Sequence, residues 1–149
     1  MARFRYRMQN ILTVKEKLET QARNEFAIAA QKLRDEEEKL KNLILRREQY
    51  EEYLKALYEG NLDIPKINET NQAIDSMKEI IKEQEFNVRY AERALEEKRV
   101  ELQLAIQDVK THEKLKEKQF EIFLQEEAAK ESKEIDELVS YRYGQDTES

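Results

Sequence analysis

An all-α fold is what this sequence predicts: two long helices folded back on each other as an antiparallel coiled-coil hairpin, the second longer than the first. Three observations carry that expectation. Residues 67 to 123 place an apolar side chain at almost every seventh position, at Ile67, Ile74, Ile81, Val88, Leu95, Leu102 and Val109, with Phe123 closing the run after a slip at Lys116. An undistorted helix drifts off such a repeat by about 20° per heptad, so a strict period of seven keeps one seam turned toward a partner helix. The composition, 40% charged and 39% hydrophobic with two glycines, one proline and no tryptophan, suits long helices better than a layered globule. The strongest breaker lies between Tyr58 and Lys66 and divides the chain into two unequal parts.

The first helix is expected from about Phe4 to Glu59. Its seam reads Phe4, Met8, Ile11, Leu18, Ala22, Phe26, Ala29, Leu33, Leu40, Leu43, Tyr50, Leu54 and Leu57. Steps of three and four alternate, with Lys15, Glu36 and Arg47 as polar interruptions. A double step of four around Ala22 is expected to unwind the supercoil locally. The turn spans residues 60–65. Gly60 can adopt the left-handed conformation that ends a helix, Pro65 suits the first turn of the next, and Asp63 or a neighbour is the candidate cap.

The second helix follows from about 66 to 143, with a second row at Met77, Ala91 and Ala105 where small side chains allow close approach. A short connection between amphipathic helices favours an antiparallel hairpin over an intermolecular bundle. Residues 1–143 then form one domain, and 144–149 read as a disordered tail. Folding back from the turn brings Phe4 to a residue near position 120 and leaves about 20 residues of the second helix beyond the first. That overhang carries Phe120, Ile122, Phe123, Leu124, Ile135, Leu138 and Val139, an apolar content that seeks another surface, either a second copy or a groove or pore on another protein.

Charge is unevenly placed. The formal net charge is −6, against a general binder of nucleic acid. Residues 1–23 hold six bases and two acids, while residues 121–149 hold nine acids and three bases. Opposite signs at opposite ends favour an antiparallel arrangement, although both can equally be solvated helix faces. The basic start leads into no apolar run of signal-peptide length, and no later run approaches a membrane span, so a cytoplasmic protein without membrane insertion is expected.

No catalytic constellation emerges, and no cofactor is expected. Cysteine is absent, which removes disulfides, thiolate metal sites and thiol nucleophiles. His112 is the sole histidine and sits on the seam of the second helix, where a packing role is the better account. The run Asp35, Glu36, Glu37 and Glu38 points around the helix rather than converging on a metal. Arg3, Arg5 and Arg7 interleave with Phe4 and Tyr6, a pattern that stacks on nucleic acid in some proteins but that in an acidic chain suits attachment to a protein.

Both ends resemble the FliJ family, the small coiled-coil components of the bacterial flagellar type III export apparatus. The opening from Phe4 to Glu16 is similar in its aromatic pair, apolar helix start and Lys15–Glu16 step. The stretch from His112 to Phe120 and then Glu126 to Glu137 looks like that family's closing pattern, ending in Lys133, Glu134, Asp136 and Glu137. Length, turn position and unequal helices agree.

The resemblance implies a non-enzymatic stalk whose paired termini enter the central pore of the hexameric flagellar ATPase. Partners would also include the cytoplasmic domain of the export-gate membrane protein and empty export chaperones, with the protein peripherally associated with the membrane apparatus. On that implication the ring contact falls to Phe4, Arg5, Arg7, Phe120, Phe123, Leu124, Glu134, Asp136 and Glu137, with packing of the two ends as an alternative role for Phe4 and Phe120. The gate contact falls to Leu43, Tyr50 and Met77, or to Tyr53 and Tyr58, because Arg46 and Ala73 stand where the family pattern is aromatic. An injectisome-type stalk, a holdase-type coiled-coil chaperone and a purely structural dimer are the competing readings.

Overall fold

The computed structural model describes residues 2–148. Among them are two helices, α1 (Gln9–Leu57) and α2 (Ile64–Glu148), and no strand. They pack against each other as an antiparallel hairpin with α2 the longer. Two compact units can be distinguished, Met1–Thr20 with Leu104–Ser149, here the terminal unit, and Gln21–Gln103, the turn unit.

In the turn unit, α1 closes through short bonds from the Tyr58 amide to the Lys55 carbonyl (3.3 Å) and from the Glu59 amide to the Ala56 carbonyl (3.1 Å). These tighten the last turn and satisfy carbonyls that would otherwise lack partners. Gly60 was expected to supply a left-handed cap, but no glycine has positive φ among the described residues. Asp63 does cap α2: its Oδ1 accepts from the Lys66 amide at 3.3 Å and its carbonyl accepts from the Ile67 amide at 3.0 Å. Pro65 follows inside the first turn, where its missing donor costs nothing.

The seam of α2 follows the sevenfold repeat. Ile67, Ile74, Ile81, Val88 and Ala91 are buried in the turn unit, as is Val109 in the terminal unit. Between them runs a polar set that the apolar repeat concealed: Thr70, Gln84, Lys98 and His112, one in every second heptad, alternating with Met77, Ala91 and Ala105. In the turn unit Gln84 is held by Glu36 of α1, and the Lys98 ammonium lies 3.3 Å from the Glu25 carboxylate of α1. Polar pairs at such positions select one register among many that a sevenfold repeat allows.

On α1 the seam differs from the expected one. Leu12 is 3% exposed, whereas Ile11 and Leu18 are 43% and 46% exposed, and Lys15 and Glu19 occupy half-buried positions. The steps from Met8 through Leu12, Lys15, Glu19, Ala22 and Phe26 therefore alternate four and three, without the double step of four expected around Ala22. Long polar side chains lay their stems along a narrow seam and keep their heads at its edge. Lys15 does so, reaching Asp108 at 3.3 Å. Keeping the phase with a lysine and a glutamate costs less than distorting the helix to bury two more aliphatic residues.

The expected helix limits also shift at both ends. Residues 2–8 lie outside α1, which opens at Gln9 rather than near Phe4. Exposure alternates along this arm: Arg3, Arg5 and Arg7 are exposed while Phe4, Tyr6 and Met8 are half-buried or buried. Residues 2–6 form no regular element, and residues 7–8 form a turn closed by the Gln9 amide on the Tyr6 carbonyl. A helix here would stack Arg3 on Arg7 and set three cations against the positive end of its dipole. At the other end, the tail expected from 144 is helical as far as Glu148, and Ser149 lies outside the described residues.

Candidate functional site

The arm and the facing part of α2 make the most distinctive surface of the terminal unit. Phe4 lies 5.1 Å from Phe120, ring centre to ring centre, in an edge-on arrangement, and 5.4 Å from Phe123. Phe120 and Phe123 lie 6.4 Å apart with nearly parallel planes. Edge-on and offset geometries match the positive rim of one ring to the negative face of another. The pairing of Phe4 with position 120 is the one expected from folding the chain about its turn. Three of the candidate ring-contact residues are thus gathered into one cluster, which joins the arm to α2.

Behind this cluster the arm is pinned by Tyr6, which is buried. The Gln9 amide donates to the Tyr6 carbonyl at 3.2 Å, and the Lys116 ammonium donates to the Gln9 side-chain oxygen at 2.7 Å. Lys116, the slip in the apolar repeat, is thereby a tether between the start of α1 and α2. The Tyr6 hydroxyl and the His112 Nδ1 are both shielded without a hydrogen-bond partner. His112 does occupy the seam, as expected of a packing histidine.

In front, an open cleft of about 1160 Å³ is lined by Arg3, Arg5, Arg7, Gln9, Asn10 and Lys116, with Phe4 and Tyr6 as its apolar wall. Arg5 and Arg7 are exposed, and neither they nor Arg3 have an ion pair among the described residues. Four cations without a lining carboxylate create a local positive field on a chain of negative net charge.

Beyond Phe123 α2 continues without a partner from α1. Leu124 is exposed there, as are Glu134, Asp136 and Glu137. Glu134 and Glu137 are three positions apart and share a side of the helix, whereas Asp136 points to the other side. The structure does not bring these three acids to the arginines. What holds the overhang is local: Lys130 approaches Glu127 at 3.8 Å, and Gln145 donates to the Tyr141 hydroxyl at 3.0 Å.

The candidates near the turn separate into two kinds. Met77 is 6% exposed and Leu43 and Tyr50 are half-buried, so all three hold the helices of the turn unit together. Tyr53 and Tyr58 are about half exposed, at 49% and 58%. Sequence reasoning missed Ile44, Leu45, Ile80 and Phe86, exposed apolar residues elsewhere in the turn unit, whose phase on the helix was the available signal. The Arg89 guanidinium lies 4.6 Å from the centre of the Phe86 ring, a cation–π contact that orders this exposed aromatic.

Among the described residues, no group of three acidic, histidine or cysteine side chains is placed to hold a metal ion, and no helix is long and apolar enough to cross a membrane. The described residues carry aromatic, apolar and charged patches on both helices.

Comparison with known proteins bears on both sequence and fold. The sequence model of a family described as flagellar FliJ protein matches residues 4–148. No curated protein matches this chain. Among solved structures, a chain described as a YscO homologue from Chlamydia trachomatis is similar, with a TM-score of 0.60 at 22% identity over 99% of both chains. At that identity the likeness concerns the fold.

Proposed function

Because this chain belongs to the FliJ family of flagellar proteins, and so to flagellar type III protein export, we propose that it is the coiled-coil stalk of the export ATPase. In this reading the overhang of α2, with the adjoining arm, enters the hexameric ATPase ring and promotes its assembly and activity. The turn unit reaches the cytoplasmic domain of the export gate, and export chaperones are further partners. The role is non-enzymatic and cytoplasmic, at the periphery of the membrane apparatus.

The observation that carries this reading is the end of the hairpin. The Phe4, Phe120 and Phe123 cluster joins the two chain ends just where α2 loses its partner, and a single helix beyond that point is about 10–12 Å across with its side chains. Such an element suits a narrow axial channel. Arg5 and Arg7 on the arm and Glu134, Asp136 and Glu137 on the overhang present both signs of charge to a surrounding ring. Near the turn, exposed Tyr53 and Tyr58 carry the gate contact, with Leu43, Tyr50 and Met77 supporting them from the seam.

The test is ATP hydrolysis by the flagellar ATPase of the same genome, titrated with this protein. Stimulation that saturates near one chain per hexamer, and that is lost on deleting residues 124–148, is the expected result. No stimulation of an ATPase demonstrably assembled into rings would overturn the proposal.

A further inference from the structure

The overhang of α2 is not a continuation of the hairpin seam. Extending the seam by sevens from Phe123 reaches Lys130 and Glu137, which no coiled-coil partner of the same kind would choose. The apolar residues follow a different line, Leu124, Ala128, Ile135 and Leu138. At 3.6 residues per turn this line is rotated by roughly a third of a turn from the seam. Leu124, Ile135 and Leu138 are 50–63% exposed. Whatever covers this stripe approaches from another side than α1.

The flanks of the stripe say what that partner carries. Glu127, Glu131 and Glu134, spaced by four and three residues, run along the side of the stripe nearer the seam and span roughly 10 Å along the helix. Glu131 and Glu134 are exposed, while Glu127 is half-buried and must leave Lys130, 3.8 Å away, to pair elsewhere. In the same unit, the arm leaves Arg3, Arg5 and Arg7 exposed in alternation with Phe4 and Tyr6, Arg7 lying in the turn that leads into α1. They are without ion pairs among the described residues. After the arm, α1 presents the outward stripe Ile11, Val14 and Leu18, which its own seam leaves uncovered. The two surfaces therefore match in order: three acids then Ile135 and Leu138 on the overhang, three arginines then Ile11 and Val14 on the arm and α1.

We propose that the overhang of one copy docks on the arginine arm and outward α1 stripe of a second copy, forming a twofold antiparallel dimer. The order of the matches makes α2 of one copy run parallel to α1 of the other, hence antiparallel to the other's α2. A twofold axis across the terminal units produces that relation and gives each copy the same contact twice. Carboxylate-to-guanidinium pairing sets register and encounter, while the aliphatic residues supply the buried area. The dimer covers the overhang and the arm together, so it is a storage state that must dissociate before either surface meets another partner.

Sedimentation of the full chain over a wide concentration range, at low and at high salt, tests this without any ATPase, so its outcome is independent of the stalk proposal. A mass rising from 17.9 kDa toward twice that value at low salt, and falling back at high salt, is expected. The triple variants Arg3→Glu, Arg5→Glu, Arg7→Glu and Glu127→Lys, Glu131→Lys, Glu134→Lys should each lose dimerisation, and their mixture should regain it. Circular dichroism verifies that both remain helical. Because the chain has no cysteine, Arg5→Cys and Glu131→Cys chains mixed under oxidation should form a cross-linked heterodimer faster than either forms a homodimer. A monomer at every concentration in low salt, or a dimer indifferent to both charge reversals, overturns the proposal.

Discussion

Gln84 of α2 donates its side-chain amide to both the backbone carbonyl and the carboxylate of Glu36 on α1, at 2.9 and 2.5 Å, in the middle of an apolar seam. Glu36 is also reached by Lys32 at 2.9 Å, and Asn87 donates to the Gln84 oxygen at 3.1 Å. The layer is buried and fully partnered. Replacing Gln84 by Leu leaves the Glu36 carboxylate beside a hydrocarbon wall and should lower the melting temperature. Replacing both residues by Leu should restore or raise it, at the cost of register. Thermal melts of the two single variants and the double variant form the cycle that measures this coupling.

The polar layers at Gln84 and Lys98 set a pH dependence. Lys32 and then Gln84 hold the Glu36 carboxyl below its ordinary value of 4.5, and Gln21 followed by Lys98 does the same for Glu25. Groups lowered on folding contribute stability that is present above 4.5 and is lost as pH falls through the lowered values. Lys98 is raised above 10.5 by Glu101 and then Glu25, so its contribution is present below 10.5 and disappears as pH rises through the raised value. Stability should therefore be flat between these limits and decline on both sides. Urea midpoints measured from acid to neutral pH should show a shallower acid limb for Glu36→Gln than for the parent.

Phe4→Ala removes the ring that faces Phe120 and Phe123. Each aromatic pair contributes about 0.5–1.5 kcal/mol beyond its area, and the arm has few other anchors. Faster hydrogen exchange at the start of α1, including the Gln9 amide, is expected, with little change in total helicity. Unchanged exchange there would mean that Tyr6 and the Lys116 tether hold the arm by themselves.

Gly60→Ala should be neutral or slightly stabilising. Its φ is not positive, and a methyl group at its Cα meets nothing within 4 Å. Restricting the unfolded chain then favours folding by about 0.4–1 kcal/mol. Chemical denaturation resolves an effect of that size, and a loss of stability would show that the turn needs glycine after all.

Met77→Ala should cost about 2–3 kcal/mol, at the lower end for a buried methionine because a two-helix seam can partly collapse. Tyr53→Ala and Tyr58→Ala should leave the melt within about 0.5 kcal/mol, since both rings are half exposed. If the tyrosines carry the gate contact, the same variants lose binding to the gate's cytoplasmic domain in a pull-down while remaining folded. Equal loss of stability from all three would place the tyrosines in the core instead.

Helix α2 was legible because its periodicity is nearly unbroken: from Ile67 to Val109 each expected seam position is buried or half-buried. Once the turn was located, counting outward from it matched Phe4 with Phe120. Along α1 the apolar signal misled, since Ile11 and Leu18 satisfy a hydrophobic pattern as well as Leu12, Lys15 and Glu19 satisfy a geometric one. The polar layers at Gln84 and Lys98 were hidden for a related reason. Their spacing of fourteen residues is visible in the sequence, but a polar residue at a seam position reads as an interruption until its partner is known.

The sequence by itself determined the helical class, the two-helix topology, the turn and the pairing of the chain ends, because periodicity and chain reversal are local or counting properties. Only the tertiary structure decided which face of α1 is buried, that residues 2–8 stay outside the helix, and which polar groups on α2 meet Glu25 and Glu36. Those choices depend on the energy of two surfaces together, where keeping phase with a half-buried lysine outweighs burying one more isoleucine.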